Sequence, residues 1–302
     1  MFDGAVMNKN FSKLRGKLLH NHLLAEYTSW KIGGPAEYFY RPVDLEDLVQ
    51  VMRVWQEEPI TILGAASNVL IRDAGIKGLV IYLRHSLNKL DELDDFNLRV
   101  EAGVDLRHLV EKCANLGMFD ATFMTGIPGT IGGALKMNAG AYGNRIWNHV
   151  IAVETINRIG EIKLRQACEF AVTYRQVDGL NKEEWFVAAQ FNFLRGKAEE
   201  AKQQVQTYLQ RRNKSQPLEF PSCGSVFRNP EGDYAARLIE TVGLKGKQIG
   251  GARISERHAN FIVNCGNATA VDVETLMQEI IIKVESSSGV KLIPEVHVLG
   301  AL

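Results

Sequence analysis

Closely spaced cysteines are missing from this sequence. Its four cysteines, Cys113, Cys168, Cys223 and Cys265, lie far apart, with no CxxC pair to build a zinc site or a dithiol redox centre. Scattered thiols fit a reduced, cytosolic chain better than a disulfide framework. An excess of charge of either sign is missing too, with 35 Lys and Arg against 35 Asp and Glu. Such a balance leaves no electrostatic footprint for nucleic acid or an anionic membrane, so an anionic substrate has to be met by local arginines and lysines. No uninterrupted apolar run approaches the roughly 20 residues of a membrane span. The N-terminus, polar through Lys17, does not resemble a signal peptide. Together these absences point to a cytoplasmic protein acting on small molecules, with no nucleic acid, membrane or metal among its partners.

What is present is ordinary in bulk. Apolar residues make up 46% and charged residues 23%, as in globular proteins generally. A chain of 302 residues exceeds one ordinary core and suggests two or three modules. Residues 1–27 read as a polar helical arm. From Thr28 to about Leu194, short apolar strands alternate with helices and glycines. One helix follows Pro42, capped by Asp44, with Leu48, Val49, Met52 and Trp55 on one face. A second is capped by Asp105 and stops at Gly117. Strands are expected at Ile60–Leu63, Leu79–Leu83, Leu98–Ala102, Val150–Ile156 and Phe186–Phe193. Residues 197–214 form a charged helix with little apolar face, suited to connecting domains. Beyond it, a helix capped by Asp233 and ended at Gly243, another from about Val271 to Ser286, and a strand Leu292–Leu299 complete an α+β architecture.

The strongest local signal is TGIPGTIGGALKMNAGAYG, residues 125–143, with six glycines in nineteen residues. A stretch so poor in side chains offers exposed N–H groups and positive φ angles, the requirements for wrapping a pyrophosphate. Asn138 adds a side-chain amide. A tight turn between core strands would need one such glycine, not six. The spacing is neither GxGxxG nor a Walker loop. A second piece, LGAASNVLI (63–71), puts Gly64, Ala65, Ala66, Ser67 and Asn68 directly after an apolar strand, where an anion is easily received. By itself that piece is equally an ordinary turn; the two together imply a large, doubly clasped nucleotide.

KIGGPAEYF (31–39), LGAASN (63–68), TGIPGTIGGALKMNAGAYG (125–143), YR (174–175), SCGSVFRNP (222–230), IGGARISERHANFIVN (249–264) and LIPEV (292–296) occur in the order found in UDP-N-acetylenolpyruvoylglucosamine reductases. The chain resembles that family from about Thr28 to its end. The resemblance implies a vanillyl-alcohol-oxidase (PCMH)-type FAD-binding domain over 28–197 and a smaller α+β substrate-binding domain over 198–302. It also implies FAD as cofactor, with NADPH and UDP-N-acetylglucosamine enolpyruvate as co-substrates. It assigns the FAD to Gly64, Ala65, Ser67 and Asn68 of the first loop and to Gly126, Ile127, Pro128, Gly129, Thr130, Gly132, Gly133 and Ala134 of the second. Asn138, Ala139, Gly140 and Tyr142 would line the flavin. The first loop has no histidine to attach a flavin, so the FAD is expected to be non-covalent. The short span from Arg175 to Leu194 has no room for the long tyrosine-bearing loop of one subgroup.

Three residues match the family's catalytic positions. Arg175 would meet the negative charge that develops on the substrate carboxylate; alone, it reads first as a surface salt-bridge arginine. Ser225 would donate the proton; alone, a serine after glycine is usually a turn residue. Glu295 would shape the carboxylate environment; alone, it reads as a solvated strand end. Tyr174, Arg228 and Asn229 are matched to substrate binding, and His258 reads as structural. Two departures stand out: Val177 where a serine is frequent, and Arg228 in place of a lysine, which keeps charge but not geometry. Two other functions remain open at this point, an oxidase on the same FAD fold and a non-redox nucleotide-sugar-binding protein.

Overall fold

The computed structural model describes residues 13–301. Two compact units are built from interleaved stretches of chain. The first takes residues up to His20, then Tyr38–Ala65 and Gly78–Gln210; the second takes Asn21–Glu37, Ala66–Lys77 and the residues from Arg211 onward. The elements run β1 (Lys17–Leu23), β2 (Pro35–Arg41), α1 (Leu45–Val54), β3 (Ile60–Leu63), β4 (Val69–Ile71), β5 (Ile76–Tyr82), β6 (Leu90–Glu92) and β7 (Asn97–Glu101). Then come α2 (Leu106–Asn115), α3 (Ile131–Lys136), β8 (Gly140–Ala141), β9 (Asn144–Arg145), β10 (Val150–Asn157), β11 (Ile162–Gln166), β12 (Ala171–Thr173), β13 (Gln176–Asp178) and β14 (Glu184–Asn192). The chain closes with α4 (Ala198–Ser215), α5 (Ala235–Thr241), β15 (Gln248–Ile249), β16 (Ala252–Ile254), β17 (Ile262–Asn264), α6 (Ala270–Ser288) and β18 (His297–Leu299).

In the first unit, α1 begins as its sequence dictates: the Asp44 carboxylate accepts the Asp47 N–H at 3.0 Å, and Leu48, Val51, Met52 and Trp55 are fully buried. That face packs with Tyr38, Tyr40, Leu79 and Ile81 of a sheet ordered β1–β2–β5–β3. A larger antiparallel sheet, β11–β10–β14–β7–β6, carries the main core, in which Val100, Val153 and Phe191 meet Leu106, Leu109 and Cys113 of α2 and Ile131 and Leu135 of α3. Burial pushes the Cys113 thiol up to about 12, so it is an inert packing group. Asp105 stands at the start of α2 but its side chain makes no cap bond; the carboxylate is held instead by both arms of Arg84, at 2.9 and 3.2 Å.

The second unit is organised around α6, whose Thr269 and Asp272 form a capping box and whose C-terminus ends in left-handed Gly289. Leu276 and Ile280 of that helix share a core with Trp30, Leu70, Phe227 and Ile262, beside the antiparallel sheet β15–β16–β17.

Two further expectations are corrected. Within the helical arm expected over 1–27, residues 1–12 lie outside the described residues, and Lys17–Leu23 is a strand. There, pairing in a sheet outweighs local propensity: Leu18 packs against the core and the His20 ring lies 5.1 Å from that of Tyr38. The compact units, for their part, place Trp30, Ile32 and Leu70 in the second unit's core and last change over at 210/211, within α4. Finally, the strand expected over Leu292–Leu299 shrinks to β18. Pro294, with no N–H to give, forms only an isolated bridge with Phe227.

Candidate active site

The expected site residues fall into both units. In the first unit, the glycine segment begins where Leu106 N–H bonds Gly129 O and Ile131 N–H bonds Val104 O, at 3.0 Å each. Further backbone bonds use the N–H groups of Ile127, Gly132, Ala134, Asn138 and Ala139, so the expectation that the whole stretch grips a ligand through its backbone is too broad. Gly126, Gly129 and Thr130 have N–H groups outside that ladder. The side chains of Ile127, Ala134 and Ala139 belong to the core. Gly132 is a packing glycine: a Cβ there would lie 3.0 Å from the Cβ of Ala102. Gly133 is different, since a Cβ there would meet nothing nearer than Thr130 Oγ1 at 4.0 Å. The two loops touch, a Cβ on Gly64 falling 2.2 Å from Thr130 Oγ1.

Three polar atoms in and beside this segment, Thr125 Oγ1, Thr130 Oγ1 and Asn138 Oδ1, are buried with no hydrogen-bond partner among the described residues. Buried polar atoms are nearly always paired, so a cluster of orphans marks a place kept for a polar ligand. The other half of the Asn138 amide donates to Thr173 O at 2.8 Å, tying the segment to the β12–β13 hairpin. The two residues of that hairpin turn are Tyr174 and Arg175, since Thr173 pairs with Gln176. Arg175 has a φ of 58°. Its Nη1 donates to Asn138 O at 3.5 Å and its Nη2 to Gly140 O at 3.4 Å. Tyr174 is 40% exposed, with the guanidinium groups of Arg175 and Arg145 at 5.3 and 5.8 Å from its ring centre. Two cations thus converge where only one was expected. Val177 is buried in the core, which makes it a packing residue rather than a substrate contact.

Left-handed backbone gathers on the same residues. Ala66, Asn138, Tyr142 and Arg175 all have positive φ without being glycine, a conformation that persists only where the surroundings over-determine it. Sequence reasoning picked out three of these as site residues without seeing the strain. It missed Thr125, the first residue of the glycine motif, Arg145 just beyond its end, and Tyr208, whose ring stacks on Tyr142 at 3.7 Å.

In the second unit, residues 222–229 are strapped on both sides. Ser222 bridges Val263, Val226 N–H bonds Asn260 O at 2.9 Å, Glu295 N–H bonds Val226 O at 2.7 Å, and Arg228 N–H bonds Ile293 O at 2.9 Å. The buried Asn260 amide closes on both backbone groups of Phe227, at 2.9 and 2.8 Å. This ties the Glu295 backbone to Val226, the chain neighbour of Ser225. Burial, with the Glu295 charge second, pushes the Cys223 thiol well above its ordinary range, as expected of a carboxylate close to this strand. Gly224, at φ 84° with open space around it, turns the chain before Ser225. Asn68 Nδ2 donates to Glu295 O at 3.0 Å, and His297 N–H bonds Asn68 O at 3.1 Å. Asn229 Oδ1 accepts the Ala235 N–H at 3.1 Å, at the start of α5, so that oxygen has a structural task. His258 lies edge-on to Phe261 at 4.7 Å; burial lowers its pKa, and its Nδ1 has no hydrogen-bond partner among the described residues.

A family model described as an FAD-binding domain matches residues 36–164. Another, described as the C-terminal domain of UDP-N-acetylenolpyruvoylglucosamine reductase, matches residues 216–299. The UDP-N-acetylenolpyruvoylglucosamine reductase of Coxiella burnetii (strain RSA 493) is 49% identical, covering 97% of this chain and 98% of its own. That of Nitrosococcus oceani is 49% identical over 96% of this chain and 97% of its own. Among solved structures, UDP-N-acetylenolpyruvylglucosamine reductase from Thermus caldophilus superposes with a TM-score of 0.82 at 31% identity, covering 95% of this chain and all of that one.

Proposed function

The chain belongs to the UDP-N-acetylenolpyruvoylglucosamine reductase family, and on that premise we propose how its residues divide the reaction. The protein is an FAD-dependent oxidoreductase with NADPH as reductant, reducing UDP-N-acetylglucosamine enolpyruvate to UDP-N-acetylmuramate in peptidoglycan synthesis. FAD, when bound, relays a hydride from NADPH to the terminal vinyl carbon of the substrate. The chain's residues do the rest.

The first unit fits the cofactor: it combines a side-chain-poor segment with buried orphan oxygens on Thr125, Thr130 and Asn138. Gly64, Ala65, Gly126, Gly129, Thr130 and Gly133 would hold the FAD there; Ser67 and Asn68 are matched to the same cofactor. Pro128 and Gly140 contribute backbone. No histidine stands in that loop, and the FAD is non-covalent.

One observation carries the assignment of Arg175: its strained hairpin tip is fixed to the carbonyls of Asn138 and Gly140 in the glycine segment. A permanent cation beside the cradle meets the enolate charge as it develops on the substrate carboxylate. Tyr174 and Arg145 accompany it. Ser225, accessible after Gly224, gives its proton to the carbon bearing the ether oxygen. Glu295, fixed through its backbone to Val226, sets the electrostatic environment of that transfer. Arg228 and Asn229 contact the substrate, Asn229 through its amide nitrogen.

No helix among the described residues is long and apolar enough to cross a membrane, and the reading is of a cytoplasmic enzyme supplying cell-wall precursor for cell shape and division. The test is NADPH oxidation by the purified protein, expected to be yellow, with and without UDP-N-acetylglucosamine enolpyruvate. Substrate-dependent oxidation, with all flavin released on acid precipitation, is expected. Oxygen consumption without NADPH would move the protein to the oxidases of this fold. A colourless protein that FAD does not reconstitute would make it a non-redox binder.

A further inference from the structure

Tyr142 and Gly143 are the two central residues of the β8–β9 hairpin, in which Gly140 pairs with Arg145 and Ala141 with Asn144. Both have positive φ, 52° and 82°, the pattern of a type I′ turn, where Asn, Asp or Gly normally stands first. A tyrosine held there is strained and needs external support. That support comes from α4. The Tyr142 ring lies on the Tyr208 ring with centroids 3.7 Å apart and planes 9° from parallel. Its hydroxyl donates to the Tyr208 backbone oxygen at 3.2 Å. Helix α4 has little else to pack with: Ala201 is its one buried residue and Val205 is partly buried against the core. Tyr208 continues that line at helical spacing. The turn it supports carries Gly140, whose carbonyl, with that of Asn138, receives the Arg175 guanidinium at 3.4 and 3.5 Å. Contacts at that length are lost with a small shift.

We propose that Tyr208 is a positioning residue for the reductase reaction: by stacking on Tyr142 it locks the β8–β9 turn and thereby the Asn138 and Gly140 carbonyls that hold Arg175. This rests on the role given to Arg175 above. Stopped-flow measurements on flavin-loaded protein separate bleaching by NADPH from reoxidation by UDP-N-acetylglucosamine enolpyruvate. Tyr208→Phe keeps the ring and the backbone carbonyl, and should match wild type in both. Tyr208→Ala and Tyr208→Leu should bleach at the wild-type rate but reoxidise about 10-fold slower, the scale of a misplaced catalytic group. Tyr208→Trp should rescue most of that loss. The double variant Tyr208→Ala, Arg175→Lys should be no slower than Arg175→Lys alone.

In flavin-free protein, trypsin should cut faster after Arg145 and Arg175 in Tyr208→Ala than in Tyr208→Phe. Reoxidation at the wild-type rate in both Tyr208→Ala and Tyr208→Leu, equal slowing of both half-reactions, additive effects with Arg175→Lys, or unchanged cleavage would each overturn the proposal. Arg175→Lys reoxidising normally would sink the Arg175 assignment and the proposal with it. Slow Arg175→Lys beside fast Tyr208→Ala would sink the proposal alone.

Discussion

Residues 125–143 take their shape from positive φ at Gly126, Gly129, Asn138, Tyr142 and Gly143, and leave three oxygens buried without partners. Residues 222–229 take theirs from strand-like bonds to neighbours on both sides, with the Asn260 amide closing on Phe227. The first segment is unfinished in a physical sense, since each unpartnered buried polar group is worth roughly 1–3 kcal/mol of lost stability. In the second, the main chain is bonded to its neighbours on both sides, and Ser225 is half-buried. On the roles proposed above, a binding cradle is built from backbone shape and unmet hydrogen bonds, whereas the proposed proton donor sits on a main chain held from both sides. FAD addition should accordingly raise the melting temperature.

The comparison breaks most completely at Gly133. A Cβ there meets nothing nearer than Thr130 Oγ1 at 4.0 Å, so Gly133→Leu should fold and yet emerge colourless, with flavin absorbance lost. Gly132→Ala presses on Ala102 and should instead lower stability by about 1–3 kcal/mol, the usual result of overpacking, while the folded fraction stays yellow. Absorbance at the flavin bands and denaturant melts separate the two. If both variants lose flavin in proportion to unfolding, the cradle is no different from any packed turn.

In the second segment the test is Ser225→Ala. Hydride transfer needs the vinyl group against a reduced flavin, which Ser225 does not create; quenching the enolate needs an acid on the right face of the substrate. Flavin content and bleaching by NADPH should be near normal, and turnover should fall roughly 10²-fold or more, the scale of a lost general acid. Ser225→Cys should recover part of it. Ser222→Ala, which leaves the backbone bridge to Val263 intact, should be mild. Wild-type turnover in Ser225→Ala would remove the serine from the mechanism.

The two segments also differ in what the sequence discloses. Six glycines in nineteen residues announce the cradle, and the Asp44 cap with its apolar face announces α1. Ser225, Glu295 and Arg175 carry no comparable local mark, because their neighbours come from distant stretches: Val226 meets Asn260 and Glu295, and Arg175 meets Asn138. Family likeness, not pattern, picked them out. The interleaving of the units was illegible for the same reason, since nothing near Trp30 shows that its indole N–H will bond Ile262 O at 2.7 Å. Strand β1 was misread as helix because its partners, not its composition, decide its shape.

The smallest expected effect concerns two half-buried histidines, one in each unit. His149 lies between Phe123 and Phe193, at 5.6 and 5.3 Å, with the Asn144 amide 3.0 Å from its Nε2. Burial lowers its pKa, against an opposing pull from Asp120. Burial likewise lowers that of His258, with Lys245 adding to it. A histidine whose folded pKa is depressed is neutral in the native state, while the unfolded chain takes up a proton near its ordinary value of about 6.5. The stabilisation is therefore fully present above that pH and is lost as pH falls below it. Melting temperature should decline on the acid side of neutrality, and His149→Gln and His258→Phe should each flatten the decline by roughly a degree or two. An unchanged slope in both variants would place the acid sensitivity elsewhere. His258→Phe also bears on the chemistry, because His258 packed edge-on to Phe261 is read as structural: turnover near wild type is expected, and a loss on the scale expected for Ser225→Ala would make His258 the proton donor's partner.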